Sequence, residues 1–154
     1  MIVLVGPSGS GKNDIVRSLT AATDKVERLP SYTTVEQVDM FSMERYRYVS
    51  EQEFLEMYQQ GELFEVTNYA NHYYGSRKAD VEQILASGRH ALTVMDICGA
   101  MSLKTHFPNV VTLFIKREKR DLLTALLEKD IQTQEKVNRL LALESERKNA
   151  EVCD

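Results

Sequence analysis

Apolar residues in this chain gather into short runs, and their spacing changes from run to run. Ile2-Val3-Leu4-Val5 is continuous and rich in β-branched side chains, which predicts a strand buried on both faces. Within residues 13–22, Ile15, Val16 and Leu19 recur at helical spacing, so a helix is expected to follow at once. Residues 30–50 are broken and polar. Residues 51–60 then read as a helix with Ser50 as N-cap, Glu53 completing a capping box and Gly61 ending it. Residues 63–67 suit a strand, whereas 68–76 look turn-like and aromatic-rich.

The second half alternates more regularly. A helix is expected over 79–87 up to Gly88, and an apolar strand over 90–96 that ends in a carboxylate. A helix over 100–107 stops at Pro108, residues 110–115 form another buried strand, and charged amphipathic helices cover 118–129 and 134–149. This alternation predicts an α/β fold, a parallel sheet flanked by helices. One domain is expected over 1–154, with its core in 1–30 and 77–154 and an irregular insertion at about 31–76. An insertion of that size tends to carry function rather than packing.

The first strand and helix bracket Gly6-Pro7-Ser8-Gly9-Ser10-Gly11-Lys12, which has the spacing G-x-x-x-x-G-K. Glycines let backbone N–H groups converge on phosphate oxygens, and the helix N-terminus adds partial positive charge. Lys12 brings a point charge to the outer phosphates during transfer. Gly6, Ser8, Gly9, Ser10, Gly11 and Lys12 are therefore candidates for holding a nucleoside triphosphate. Position 13 is Asn, where the motif places a magnesium-binding hydroxyl; an amide oxygen or a water can stand in.

Composition narrows the partners. Net charge is −4, without the basic field that nucleic-acid binding leaves, and Lys116-Arg117 and Lys119-Arg120 read as solvated helix ends. Cys98 and Cys153 make no disulfide framework, and no close Cys/His set suggests zinc. No apolar run spans a bilayer and no signal peptide is evident, so a reducing, cytoplasmic setting without membrane partners is expected. Oligomeric state is left open.

Several further segments, taken with the glycine loop, resemble the guanylate kinase family. They are Ser31-Tyr32-Thr33-Thr34, Tyr46-Arg47-Tyr48-Val49-Ser50 before Glu53-Phe54, Gly61-Glu62-Leu63-Phe64-Glu65, Tyr73-Tyr74-Gly75-Ser76, and Asp96-Ile97-Cys98-Gly99-Ala100 before Leu103-Lys104. The resemblance runs over about residues 1–150. It implies transfer of the γ-phosphoryl of ATP to GMP with Mg²⁺, on a P-loop core carrying an inserted monophosphate-binding subdomain and a helical lid at about 125–140. By the same resemblance Ser31, Glu65 and Ser76 face the guanine, and Tyr46 and Tyr74 donate to the acceptor phosphate. Asp96 lies near the metal and the acceptor base, with Asn13 as a second metal candidate, and Arg139 is a lid arginine closing on the phosphates. Taken singly, Glu65 is a surface carboxylate, the tyrosines are packing aromatics, and the two serines are loop hydroxyls. Arg139 alone is a helix charge four residues after Glu135. Asp96 has support of its own, because ligands of open parallel sheets bind at strand C-terminal ends.

Departures from the family pattern concentrate where charge is handled. Val35 and Val38 stand where two arginines clamp the acceptor phosphate, and each lost charge-assisted bond is worth about 1.5–3 kcal/mol. On an alternating strand Arg45 and Arg47 would oppose Tyr46. Ala125 replaces a lid arginine and Lys129 takes the place of the next; Val94 and Cys98 are further changes. The family's last core strand would begin at Cys153-Asp154, where the sequence stops; either the protein is short or the sequence ends early, and a missing strand would leave a sheet edge or an apolar groove open. Two alternatives accompany GMP phosphorylation: a P-loop kinase for another small acceptor, and a catalytically impaired nucleotide- or partner-binding module.

Overall fold

The computed structural model describes residues 1–35, 46–69 and 71–154. Val38 and Arg45 lie outside the described residues.

The elements follow the hydrophobic pattern. Strand β1 (Ile2–Val5) leads into helix α1 (Lys12–Ala22), then β2 (Val26–Arg28), β3 (Ser31–Thr33) and β4 (Tyr46–Tyr48). Helix α2 (Glu51–Gln59) precedes β5 (Leu63–Tyr69) and β6 (His72–Arg77). Helix α3 (Lys78–Ala86), β7 (His90–Val94), α4 (Ile97–His106) and β8 (Val111–Phe114) complete the sheets. Helices α5 (Lys119–Leu127) and α6 (Thr133–Lys148) close the chain with a short 3₁₀ turn, Asn149–Glu151.

Two sheets result. The first has order β2-β7-β1-β8, with every pairing parallel. Its helices cover both faces, as parallel sheets require. Val3 and Val5 of β1 pack on one side with Val81, Ile84, Ala100 and Leu103 of α3 and α4. Leu4 points to the other side and meets Val16 of α1 and Leu92 of β7. This alternation is why β1 reads as a continuous apolar run. The Asp154 N–H donates to Thr112 O of β8 at 3.0 Å, and Asp154 Oδ2 accepts from the Thr112 N–H at 2.8 Å and from Lys104 Nζ at 2.6 Å. Those bonds hold the Asp154 carboxyl well below the usual carboxylate range, the Lys104 bond most of all.

The second sheet, β4-β3-β6-β5, is mixed: β3 is parallel to β4 and antiparallel to β6, which pairs antiparallel with β5. Residues 68–76 are thus mainly a hairpin, not the turn-like stretch expected from sequence. Asn68, Asn71 and Gly75 are turn-forming types, but only Asn71 has positive φ, 64°. Gly75 sits inside β6 because a Cβ there would come within 2.9 Å of Glu65 O and 3.0 Å of Phe54. Strands β2, β3 and β4, three residues each, carry no run long enough to stand out in the polar 23–50 region. Beneath this sheet α2 packs Phe54 against Tyr32 and Leu63. Its capping box forms as expected: Ser50 Oγ accepts from the Glu53 N–H and Glu53 Oε2 accepts from the Ser50 N–H at 2.8 Å. No helix among the described residues is long and apolar enough to cross a membrane.

Candidate active site

The glycine loop joins β1 to α1, with Gly11 as the N-cap of α1 and no side chain capping that end. In the first turn the Asp14 N–H already donates to Gly11 O at 3.0 Å, so a ligand would meet the turn's earlier N–H groups. Lys12 folds back on the loop: its Nζ donates to Gly6 O at 2.6 Å, Pro7 O at 2.8 Å and Ser10 Oγ at 3.4 Å. Burial lowers the Lys12 ammonium to about 8; Lys129 and Arg139 push the same way and Glu146 opposes them.

More cations reach the loop. Arg139 Nη1 donates to Ser8 Oγ at 2.5 Å while its Nε donates to Glu135 Oε1 at 3.0 Å. Arg139 thus pairs with Glu135 along its own helix and also reaches the glycine loop. Lys129 Nζ donates to the same Ser8 oxygen at 3.3 Å, and Arg117 Nη1 donates to Gly9 O at 2.6 Å. Arg117 is exposed, as expected of a solvated residue ahead of the helix, and still reaches the loop. A Cβ built on Gly9 would lie 3.4 Å from the Ala125 methyl, so position 125 does face the loop, without a charge. Four basic side chains gathered on loop oxygens suit a polyanion.

Beside the loop lies a cleft of about 300 Å³, and strand register explains its lining. Glu65 pairs with Ser76 and Thr67 with Tyr74 across β5 and β6, while Ser31 pairs with Tyr46 across β3 and β4. Directly paired residues share a sheet face, so all these side chains point one way. Ser31, Tyr46, Glu65, Thr67, Tyr74 and Ser76 line the cleft, with Asp96, Asn13 and Arg28 completing it from the first sheet. The opposite face carries Tyr32 and Arg47. Arg47 Nη1 donates to Tyr32 Oη at 3.0 Å and approaches Asp80 at 3.5 Å, so it opposes Tyr46 as the alternation predicts.

Within the cleft Tyr46 and Tyr74 meet edge to face, ring centroids 5.8 Å apart, and Ser31 Oγ donates to Gly75 O at 3.2 Å. Glu65 is largely desolvated and accepts from Thr67 Oγ1 at 3.4 Å and Ser76 Oγ at 3.5 Å. Burial raises its pKa, and the nearby Asp96 charge adds to the rise. Asp96 lies just beyond β7 and caps α4, accepting from the Gly99 N–H at 2.7 Å. A second space of about 320 Å³ holds Lys12, Gly6 and Ser8 together with Glu146 and Asn149 of the chain's last turns. Val94, Met95 and Asp96 line both spaces, so cleft and loop adjoin.

A cation site near the loop can be tested on the donors present. Asn13 Oδ1 accepts from Arg28 Nη2 at 3.0 Å, so a metal ion bound there would have to displace a guanidinium. Asp96 has one oxygen engaged by Gly99 and borders the Lys12 space, which fits contact through metal-bound water rather than a closed metal cage. No group of three or more His, Cys, Asp or Glu side chains able to hold a metal occurs among the described residues.

Arg28, Thr67, Arg117 and Glu146 join these surroundings without a sequence motif to announce them. Thr67 had a usable signal, being two residues from Glu65 on one strand; the others are brought in by packing alone.

Comparison with known proteins bears on family and fold. The family model described as guanylate kinase matches residues 1–153. A guanylate kinase of Helicobacter pylori strain ATCC 700392 / 26695 is 33% identical over 127 residues, covering 80% of this chain and 60% of that protein. One from Paraburkholderia xenovorans strain LB400 is 31% identical over 153 residues, covering 97% of this chain and 68% of its own length. The crystal structure of guanylate kinase from Anaplasma phagocytophilum superposes with a TM-score of 0.67 at 21% identity, over 100% of this chain and 73% of that one, a likeness of fold. The chain thus spans about three fifths to three quarters of the length of these relatives. On the match over residues 1–153, the chain belongs to the guanylate kinase family.

Proposed function

We propose that this chain moves the γ-phosphoryl of ATP to GMP, giving ADP and GDP. One observation carries the reading: a desolvated carboxylate, Glu65, sits with Ser31 and Ser76 in a cleft that adjoins the Lys12 loop. Guanine offers a ring N–H and an amino group side by side, and a carboxylate accepts from both; adenine has no such pair. In this reading Ser31, Glu65 and Ser76 read the base, and Tyr46 and Tyr74 give their hydroxyls to the acceptor phosphate. Gly6, Ser8, Gly9, Ser10 and Gly11 cradle the ATP phosphates, while Lys12 and Arg139 neutralise charge as the phosphoryl moves. Magnesium carried by the triphosphate supplies further charge neutralisation, with Asp96 near it and Asn13 engaged elsewhere. The reaction is then mainly one of positioning and electrostatics. A cytoplasmic setting belongs to the same reading.

A second reading, a kinase for another small acceptor, draws on the uncharged Val35 and the outward-facing Arg47. A coupled ADP-release assay with MgATP over GMP, dGMP, AMP, UMP and CMP separates the two. Selective turnover of GMP is the expected result. Turnover of a different acceptor alone would replace the first reading with the second, and ATP binding without turnover on any acceptor would point to a binding module.

Gly99 supplies a prediction within this reading. A Cβ at Gly99 would lie 3.1 Å from Glu65 Oε1 and 3.3 Å from its Cδ, so Gly99→Ala pushes the base-reading carboxylate aside. The expected effect is a rise of about tenfold in KM for GMP with KM for ATP unchanged, measured by steady-state kinetics. Equal KM values in variant and parent would show that Glu65 has room to shift without loss.

A further inference from the structure

Arg28 is the one basic side chain lining the acceptor cleft among the described residues; the other charged groups there are Glu65 and Asp96. It stands at the C-terminal end of β2, paired in register with Leu92 of β7. That register turns it toward α1, and its Nη2 donates to Asn13 Oδ1 at 3.0 Å. Asn13 directly follows Lys12, so the guanidinium is fixed at the end of the cleft next to the phosphate loop. Glu65 lies on the second sheet, on the strand face opposite α2's core. Arg28 and Glu65 line the same cleft, so an acceptor whose base is read by Glu65 can carry its phosphate to the guanidinium.

We propose that Arg28, oriented by Asn13, is the cation among the described residues that binds the acceptor's phosphate. The inference rests on the GMP reading above and adds a specificity residue to it. The cleft needs such a charge, because a phosphate dianion placed among two carboxylates and two tyrosines is otherwise opposed. Val35 offers none, and Arg47 is turned to Tyr32 and Asp80 on the other sheet face. A guanidinium suits a phosphate: it stays charged and presents a planar fork of donors that matches phosphate oxygens. The asparagine following Lys12 then has a defined role, since its amide oxygen aims an arginine where the motif's hydroxyl would meet a metal.

Isothermal titration of GMP and of guanosine against the parent, Arg28→Ala, Arg28→Lys and Asn13→Ala chains tests this. Guanosine shares the base and lacks the phosphate, so it reports on the base-reading end and on folding. GMP is expected to bind the parent more tightly than guanosine. Arg28→Ala should weaken GMP by about tenfold or more and leave guanosine unchanged, as loss of a charge-assisted bond requires. Arg28→Lys should recover part of the loss, and Asn13→Ala should show a smaller loss confined to GMP. Unchanged GMP affinity in Arg28→Ala would overturn the proposal while leaving the GMP reading intact, as would equal weakening of both ligands. A parent chain that binds neither ligand would overturn the GMP reading and this inference with it.

Discussion

Lys12→Ala is expected to lower phosphoryl transfer by at least about 10³-fold, with the fold intact, because the charge it brings to the outer phosphates acts mainly in the transition state. Lys12 directs its ammonium to Gly6 O and Pro7 O, so it is poised beside the loop rather than extended into solvent. The energetic sign follows from its lowered pKa. Burial brings Lys12 from an ordinary value of 10.5 to about 8, so the folded chain disfavours the charged form. That cost is present in full below about pH 8 and is relieved as pH rises toward 10.5, where the unfolded chain also loses its proton. Removing the side chain relieves that cost but also deletes its hydrogen bonds to Gly6 O and Pro7 O, so the two effects offset and circular-dichroism melts at pH 7 should stay close to those of the parent. A triphosphate stabilises the ammonium, so ATP affinity should decline as pH rises above about 8. Calorimetry at pH 8 in two buffers of different ionisation enthalpy should detect proton uptake on binding. Transfer that survives in Lys12→Ala would remove the loop from the mechanism.

Glu65→Gln is the second large effect, and it separates function from stability. Exchanging the carboxylate for an amide loses the paired acceptor for guanine, and a site built on such bonds discriminates strongly. A fall of about 10²-fold or more in kcat/KM for GMP is expected. The same change should stabilise the fold at neutral pH. Desolvation first, and Asp96 second, raise the Glu65 pKa, so its ionised form is tolerated less in the folded chain than in the unfolded one. Below the unfolded value both states are protonated and nothing is lost. The cost grows as pH rises from the unfolded value to the raised folded one and is complete above it. Tm of Glu65→Gln should exceed that of the parent at pH 7.5 and converge with it in acid. GMP binding to the parent should weaken as pH falls through the raised Glu65 pKa. A variant with unchanged GMP turnover would show that base recognition lies elsewhere.

The parts of the site legible from sequence were those in which neighbouring residues cooperate locally. The phosphate loop is a single segment whose glycine spacing, preceding strand and following helix are all adjacent in the chain. The capping box at Ser50 and Glu53 is likewise local, as is Asp96 just beyond an apolar strand. Arg28 is the opposite case. No motif includes it, although Ser31 lies only three residues on, and its position depends on β2 pairing with β7, a strand more than 60 residues away by the register Arg28 to Leu92. Lys129 and Arg139 lie in different parts of the chain and share one oxygen, Ser8 Oγ, which no local spacing encodes.

Hydrophobic periodicity by itself determined that this chain has a two-faced parallel sheet with helices on both sides, since β1 and β7 can bury continuous apolar runs only between two helical layers. It also determined where the phosphate loop stands, because a turn between a buried strand and a helix must open at the sheet's C-terminal edge. The tertiary structure alone decided which charges attend that loop. It turned Arg47 outward, put Asn13 on Arg28, and seated Glu65 out of water beside Asp96. The reason is physical: apolar burial is short-ranged in sequence and repeats with the backbone period, whereas the pairing and desolvation of charges depend on which strands lie side by side.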